Sequence, residues 1–153
     1  MEDLISIRNA CASDAAAIAE LTAQLGYATD PEATRWRLER IDGRDDHLVV
    51  VAVLEGKAVG WLHAHVSDVL ESGYRAEIVG MVVSEGCRRR GAGRCLVRRA
   101  EQWALEAGAG VLVVRSNIKR VESHGFYPAL GFSTSKTQTV YRKQIGCGLP
   151  GER

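Results

Sequence analysis

The sequence predicts one α/β domain, a mixed and mostly antiparallel sheet flanked by helices on both faces, in the order β-α-α-β-β-β-α-β-α-β. Three observations predict it. Two apolar runs flank the turn Glu55-Gly56-Lys57, which is a hairpin pattern. Leu96, Val97, Ala100, Trp103, Ala104 and Ala107 recur at three- and four-residue spacing, which lays an apolar stripe along a helix. The run Val111-Leu112-Val113-Val114 that follows is short, apolar and β-branched, as a central strand should be.

The remaining elements follow in chain order. Ile5-Ser6-Ile7-Arg8 alternates apolar and polar, as a short strand does. Ser13-Asp14 offers a cap for a helix running through Ile18 and Leu21 to about Leu25. Asp30-Pro31-Glu32 is a second start signal, with Asp as cap and Pro in the first turn. The helix it opens carries Trp36, Leu38 and Ile41 and stops near Gly43. Residues 47–54 and 58–66 form the hairpin strands, and 75–84 is a further β-rich run. The amphipathic helix spans about 93–107 and is ended by Gly108 and Gly110. A short helix from about Arg120 to Leu130 ends at Gly131, and a closing strand over 133–142 is predicted by the alternation of Thr137, Thr139 and Tyr141.

Composition bounds the partners. The 153 residues fit one domain, read here as residues 1–145, with 146–153 a flexible tail from its Gly and Pro content. A formal net charge of +1 supplies no global field for nucleic acid or an anionic membrane, so any anion binding is local. No stretch approaches the ~20 apolar residues of a membrane span, and Met1-Glu2-Asp3-Leu4 lacks the layout of a signal peptide. Cys11, Cys87, Cys95 and Cys147 are scattered without a CxxC pair, which reads as reduced thiols in a cytoplasm rather than a disulfide framework or zinc site.

The local charge is in the loop Cys87-Arg88-Arg89-Arg90-Gly91-Ala92-Gly93-Arg94. A glycine-rich turn between a strand and a helix points backbone N–H groups at one spot, and the helix dipole adds positive potential there. Gly91 and Gly93 let an anion approach the backbone, and Arg88, Arg89, Arg90 and Arg94 add guanidinium groups suited to phosphate. The P-loop spacing is absent, and residue 96 is Leu where the dinucleotide fingerprint needs a third glycine. The arginine run has no interleaved aromatic platform, which argues against a nucleic-acid binder.

Arg88-Arg89-Arg90-Gly91-Ala92-Gly93, placed after the β run Ile78-Val79-Gly80-Met81-Val82-Val83, resembles the cofactor loop of the GNAT superfamily of acyl-CoA-dependent N-acetyltransferases. Phe126-Tyr127-Pro128-Ala129-Leu130-Gly131-Phe132 is similar to that family's second motif, and the resemblance covers nearly the whole chain. It implies acetyl-CoA as cosubstrate, with the pyrophosphate on the backbone of residues 89–94 and the pantetheine arm along Met81, Val82 and Val83. It implies a splay between that strand and residues 111–115, where a backbone N–H polarises the acetyl carbonyl.

The resemblance also implies site residues. Tyr127 matches the tyrosine that protonates the departing thiolate, a reasonable transfer from a phenol of pKa about 10 to a thiolate whose acid is near ~8.5. Ser123 sits one turn earlier, where a small residue leaves room for the cofactor and a hydroxyl can bond it. The family's Asn, seven residues before the tyrosine, is Arg120 here, and Asn117 is the substitute contact. Glu77 is the expected base for the amine, set against an ion pair with Arg75; His124 is the second choice, set against a packing role.

Other residues carry weaker readings. His63 and His65 share one face of a strand, but with no third ligand in view no metal is expected. Cys87 adjoins the basic loop and reads as a bystander thiol; Trp61 and Trp103 read as core, and Trp36 as core or acceptor wall. The implied reaction moves acetyl from acetyl-CoA to a primary amine by direct attack in a ternary complex, with a non-catalytic acyl-CoA sensor as the alternative. Amino acids, polyamines, aminoglycosides and protein amines all remain open as acceptors. Glu32, Glu39, Asp42, Asp45 and Asp46 offer charge to a cationic amine, and dimerisation is common among relatives.

Overall fold

The turn at Glu55-Gly56 joins two strands that form the middle of the sheet. Both residues have positive φ, 51° and 76°, the geometry of a two-residue hairpin turn whose twist matches the strands it joins. It ties β2 (His47–Leu54) to β3 (Lys57–Val69), with Leu54 opposite Lys57 and His47 opposite His65. β1 (Ser6–Asn9) pairs antiparallel with β2, β4 (Gly73–Val83) pairs antiparallel with β3, and β5 (Leu112–Val114) pairs parallel with β4. The five strands lie in the order β1-β2-β3-β4-β5, the mixed and mostly antiparallel sheet the sequence predicts. The computed structural model describes residues 4–87, 90–116 and 121–149. The chain divides into two compact units, residues 1–115 and 116–153.

In the first unit, strand alternation sorts side chains between two faces. Val50, Leu62, Ala64, Ala76 and Ile78 are buried on one face, where α3 (Ala92–Glu106) packs through Leu96, Val97, Ala100 and Ala104. Each fully buried Leu or Ile of this layer contributes roughly 1.5–3 kcal/mol relative to an exposed one. α1 (Ala15–Ala23) and α2 (Pro31–Ile41) cover part of the other face, where Ala15, Ile18 and Leu38 pack on Val51 with Val49, Val53 and Trp61 alongside.

α2 starts as predicted: the Asp30 carboxylate accepts from the Glu32 N–H at 3.1 Å, with Pro31 in the first turn. α1 does not. Asp14 makes no side-chain cap bond to that helix. Its carboxylate turns back to accept two bonds from Arg8, each 2.8 Å, and one from the Cys11 N–H, also 2.8 Å. A bidentate guanidinium pair outweighs a neutral N–H as partner for a carboxylate. The 3-10 turn Ala12–Asp14 is the local result.

The second unit holds α4 (Val121–Ala129). Residues 133–142, predicted as the closing strand, form no strand; they are exposed and belong to no ladder. Alternation marks a segment able to be a strand, but the strand exists only where its backbone N–H and C=O groups find a partner backbone.

Candidate functional site

β4 is paired along one edge only for most of its length. On the β3 side the register runs from Val69–Gly73 to Gly60–Val83. On the β5 side it covers Ala76–Leu112, Glu77–Val113 and Ile78–Val114, and then stops. From residue 79 to 83 the outer edge of β4 has no ladder partner among the described residues. The release coincides with a bulge: His63 pairs with Gly80 and Ala64 with Ile78, so Val79 is the extra residue. A bulge bends the strand and increases its twist, and the ladder to β5 ends beside it. Met81, Val82 and Val83 lie on this open edge.

The edge leads to the glycine loop. A short turn, Glu85–Cys87, follows β4. α3 then starts from Gly91, whose φ of 88° is the left-handed conformation that suits glycine. The first helical bond is Cys95 N–H to Gly91 C=O at 3.0 Å, so the first-turn amides of Ala92, Gly93 and Arg94 have no partner within the helix. Nothing lies within 4 Å of the position a Cβ would take on Gly91, and Arg90, Gly91 and Arg94 are exposed. An approachable run of amides at a helix N-terminus suits a phosphate. Arg88 and Arg89 lie outside the described residues.

Glu77 sits on β4 one residue before the ladder to β5 ends. It is 8% exposed. Its Oε1 accepts from Arg115 Nε at 2.6 Å, and Oε2 lies 4.0 Å from an Arg75 guanidinium nitrogen. The pairing with Arg75 weighed from the sequence is therefore the looser of two, and Arg115, just past β5, holds the carboxylate more closely.

Register brings a third histidine to His63 and His65. His47 Nδ1 and His63 Nε2 are 2.8 Å apart, and the His47 ring stacks on those of His63 and His65 at 5.1 and 5.8 Å between centroids. Burial pushes His63 down to about 4, with His47 and His65 adding repulsion; burial also lowers His47. His63 is thus a neutral ring at neutral pH. Among the described residues no group of three or more side chains is arranged to hold a metal ion. His47 was missed because nothing near it in sequence marks it. Counting back along β2 from the Glu55-Gly56 turn would have set it opposite Ala64; the register shift between Ala52 and Val53 is what places it opposite His65.

A cavity of about 410 Å³ opens where β1 ends and β2 begins. Leu38, Asp42 and Asp45 line it, with His47 and, from α3, Arg99 and Trp103. Trp103, expected in the core, packs half-buried against the core residues Ala76, Ala104 and Ala109 and also lines this cavity. Trp61 is also half-buried, with its Nε1 donating to Thr22 Oγ1 at 3.1 Å. The Trp36 ring carries the Arg40 guanidinium 4.8 Å from its centroid. All four cysteines are free, Cys87 partly buried.

In the second unit the aromatic motif is a helix ending. Phe132 N–H donates to Tyr127 C=O at 3.1 Å and Gly131 N–H to Pro128 C=O at 3.0 Å. Gly131 has φ 92°. These two bonds around a left-handed glycine are the Schellman closure of α4. The Tyr127 ring packs edge-on against Phe126 and Phe132, at 5.0 and 5.7 Å between centroids. His124 is exposed, not packed as the sequence reading preferred, because the helix turns it outward. Ser123 lies on α4; Asn117 and Arg120 lie outside the described residues.

Comparison with known proteins matches this architecture. The family model described as the acetyltransferase (GNAT) family fits residues 15–132. The uncharacterized N-acetyltransferase YhdJ of Bacillus subtilis (strain 168) is 28% identical over 127 residues, 82% of this chain and 87% of its own length. An aminoglycoside N(6′)-acetyltransferase type 1 of Stenotrophomonas maltophilia is 25% identical over 145 residues, 92% of this chain and 94% of its own. The solved structure of aminoglycoside N-acetyltransferase AAC(6′)-Iy in complex with CoA shares the fold at a TM-score of 0.82 and 21% identity, covering 95% of this chain and 98% of that one.

Proposed function

Because the chain belongs to the GNAT acetyltransferase family, we propose that it moves an acetyl group from acetyl-CoA to a primary amine by direct attack in a ternary complex. The observation that carries this reading is the open edge of β4 from 79 to 83, running into the amides of α3 at Gly91. The edge offers unpaired backbone groups to an amide-bearing arm, and the helix N-terminus offers amides to its phosphates. Pantetheine runs along Met81, Val82 and Val83; the pyrophosphate sits on residues 89–94, with Arg88, Arg89, Arg90 and Arg94 around it. Asn117 and Ser123 contact the arm. The acetyltransferase domain is residues 1–145, with a tail after it.

The chemistry divides between two residues. Glu77 takes the proton that the acceptor ammonium must lose before it can attack, and Tyr127 returns a proton to the departing thiolate. The nitrogen lone pair forms the carbon–nitrogen bond as the carbon–sulfur bond breaks. The second N–H proton, shed as the amide forms, replaces the one that Tyr127 gave to the thiolate. The relatives named as aminoglycoside acetyltransferases favour a polyamino acceptor as the first to try.

Two measurements test the reading together. Saturating acetyl-CoA should raise the melting temperature, by about 2.7 kcal/mol of linkage at a hundredfold excess over Kd. Thiol release should then appear with at least one amine from a panel of aminoglycosides, polyamines, amino acids and lysine peptides. Absence of any thermal shift removes the donor assignment. A shift without thiol release from any amine identifies a binding module instead.

A further inference from the structure

We infer that His65, His47 and His63 form a path by which the proton released from the acceptor amine leaves the protein, with its outer end in the cavity beside β2. The inference rests on the proposed acetyl transfer. That reaction converts an ammonium and a thioester into an amide and a thiol, and so releases one proton per turnover. Glu77 receives that proton, and its side chain is paired with Arg115 at 2.6 Å and, more loosely, with Arg75 at 4.0 Å.

The next acceptor is set by register. His65 is the direct cross-strand partner of Glu77 on β3, and His47 is the direct partner of His65 on β2. Directly paired side chains share a face with Cβ atoms about 4.5–5.5 Å apart. The row across three strands is thus Glu77, His65, His47. Imidazole is the side chain that takes up and releases a proton near neutral pH, and it does so through two nitrogens.

His63 orients the outer ring. Neutral at physiological pH, it shares a hydrogen bond between its Nε2 and His47 Nδ1 at 2.8 Å. In the tautomer in which His47 Nδ1–H donates, His47 Nε2 is the atom that receives the proton. The rings of His47 and His65 are stacked at 5.8 Å, so transfer between them passes through a bridging water or a ring rotation.

His47 lines the 410 Å³ cavity, whose wall carries Glu39, Asp42, Asp45, Arg44 and Arg99. Asp46, paired with Arg44 at 2.8 Å, is the nearest charged neighbour in sequence and favours the charged ring, while Arg44 opposes it. Burial disfavours the charged His47 ring, and the proton passes on to the cavity.

The test is His65→Gln assayed with the best amine of the panel. Turnover should fall about tenfold or more at neutral pH, with the acetyl-CoA thermal shift unchanged. Added imidazole should restore turnover in the variant while leaving the parent protein unaffected. His47→Gln, altered at the cavity end, should show the same rescue and replaces the first variant if that one fails to fold. Parent-like turnover in both variants, or a loss that imidazole does not relieve, overturns the relay. If the parent protein itself releases no thiol with any amine, the proposed function has failed, which is a separate result.

Discussion

The indole of Trp61 occupies the space that a side chain at position 80 would need. A Cβ placed on Gly80 would fall 2.7 Å from Trp61 Cη2 and 2.8 Å from Cζ3. The ring is pinned from behind by its bond to Thr22 of α1, so it cannot withdraw without giving up that bond. Gly80 is therefore small because the tryptophan of the neighbouring strand lies across it, immediately after the bulge at Val79. Gly80→Ala should destabilise the fold by about 1–3 kcal/mol through overpacking. Urea unfolding of the variant measures it, and an unchanged midpoint would contradict the contact.

Asp14→Ala should cost about 1–3 kcal/mol at neutral pH, since the carboxylate accepts from Arg8 and from the Cys11 N–H. The Arg8 guanidinium holds Asp14 below the usual carboxylate range. The folded state thus binds this proton less readily than the unfolded chain. The contribution is complete above the unfolded carboxylate value of about 3.9 and fades as pH falls through the lower folded value. The stability difference between parent and variant, followed from neutral pH downward, should narrow only in that acid range.

His63 acts in a different window. Its folded value is about 4, against an ordinary imidazole near 6.5, so between those values the unfolded chain binds the proton and the folded protein does not. Stability should fall as pH drops from about 6.5 toward 4 and then level for this group. His63→Phe removes that slope. A parent-like slope in the variant would show that the ring is not buried neutral.

Gly91→Ala should lower stability by about 1 kcal/mol, because a Cβ disfavours the φ of 88° at the start of α3. It should also reduce the acetyl-CoA thermal shift by disturbing the first-turn amides. Thermal melts with and without acetyl-CoA separate the two effects.

Tyr127→Phe removes the proposed acid while keeping the ring seated between Phe126 and Phe132. Turnover should fall about a hundredfold with acetyl-CoA binding preserved. Equal turnover would assign Tyr127 to packing alone.

Much of the fold around the glycine loop was legible in sequence because its determinants are local. The Glu55-Gly56 turn, the stripe from Leu96 to Ala104 and the glycine at 91 each act over a few residues, and each is where it was expected. The Leu130-Gly131-Phe132 motif likewise closes its own helix. Asp14 shows the limit of such reading: its helix cap was predicted from neighbours, but Arg8 on β1 captured the carboxylate. The strand expected over 133–142 shows the same limit, since periodicity cannot supply a partner backbone.

By itself, then, the sequence determined the sheet's central hairpin, its covering helices, the glycine loop and the family they point to. Tertiary structure alone decided that Arg115 holds Glu77, that His47 joins His65 in one row, and that the last β4–β5 pair is Ile78 with Val114. The reason is physical. Turns and amphipathic stripes are set within short windows, whereas cross-strand partners depend on register. One bulged residue, such as Val79, shifts every pairing beyond it.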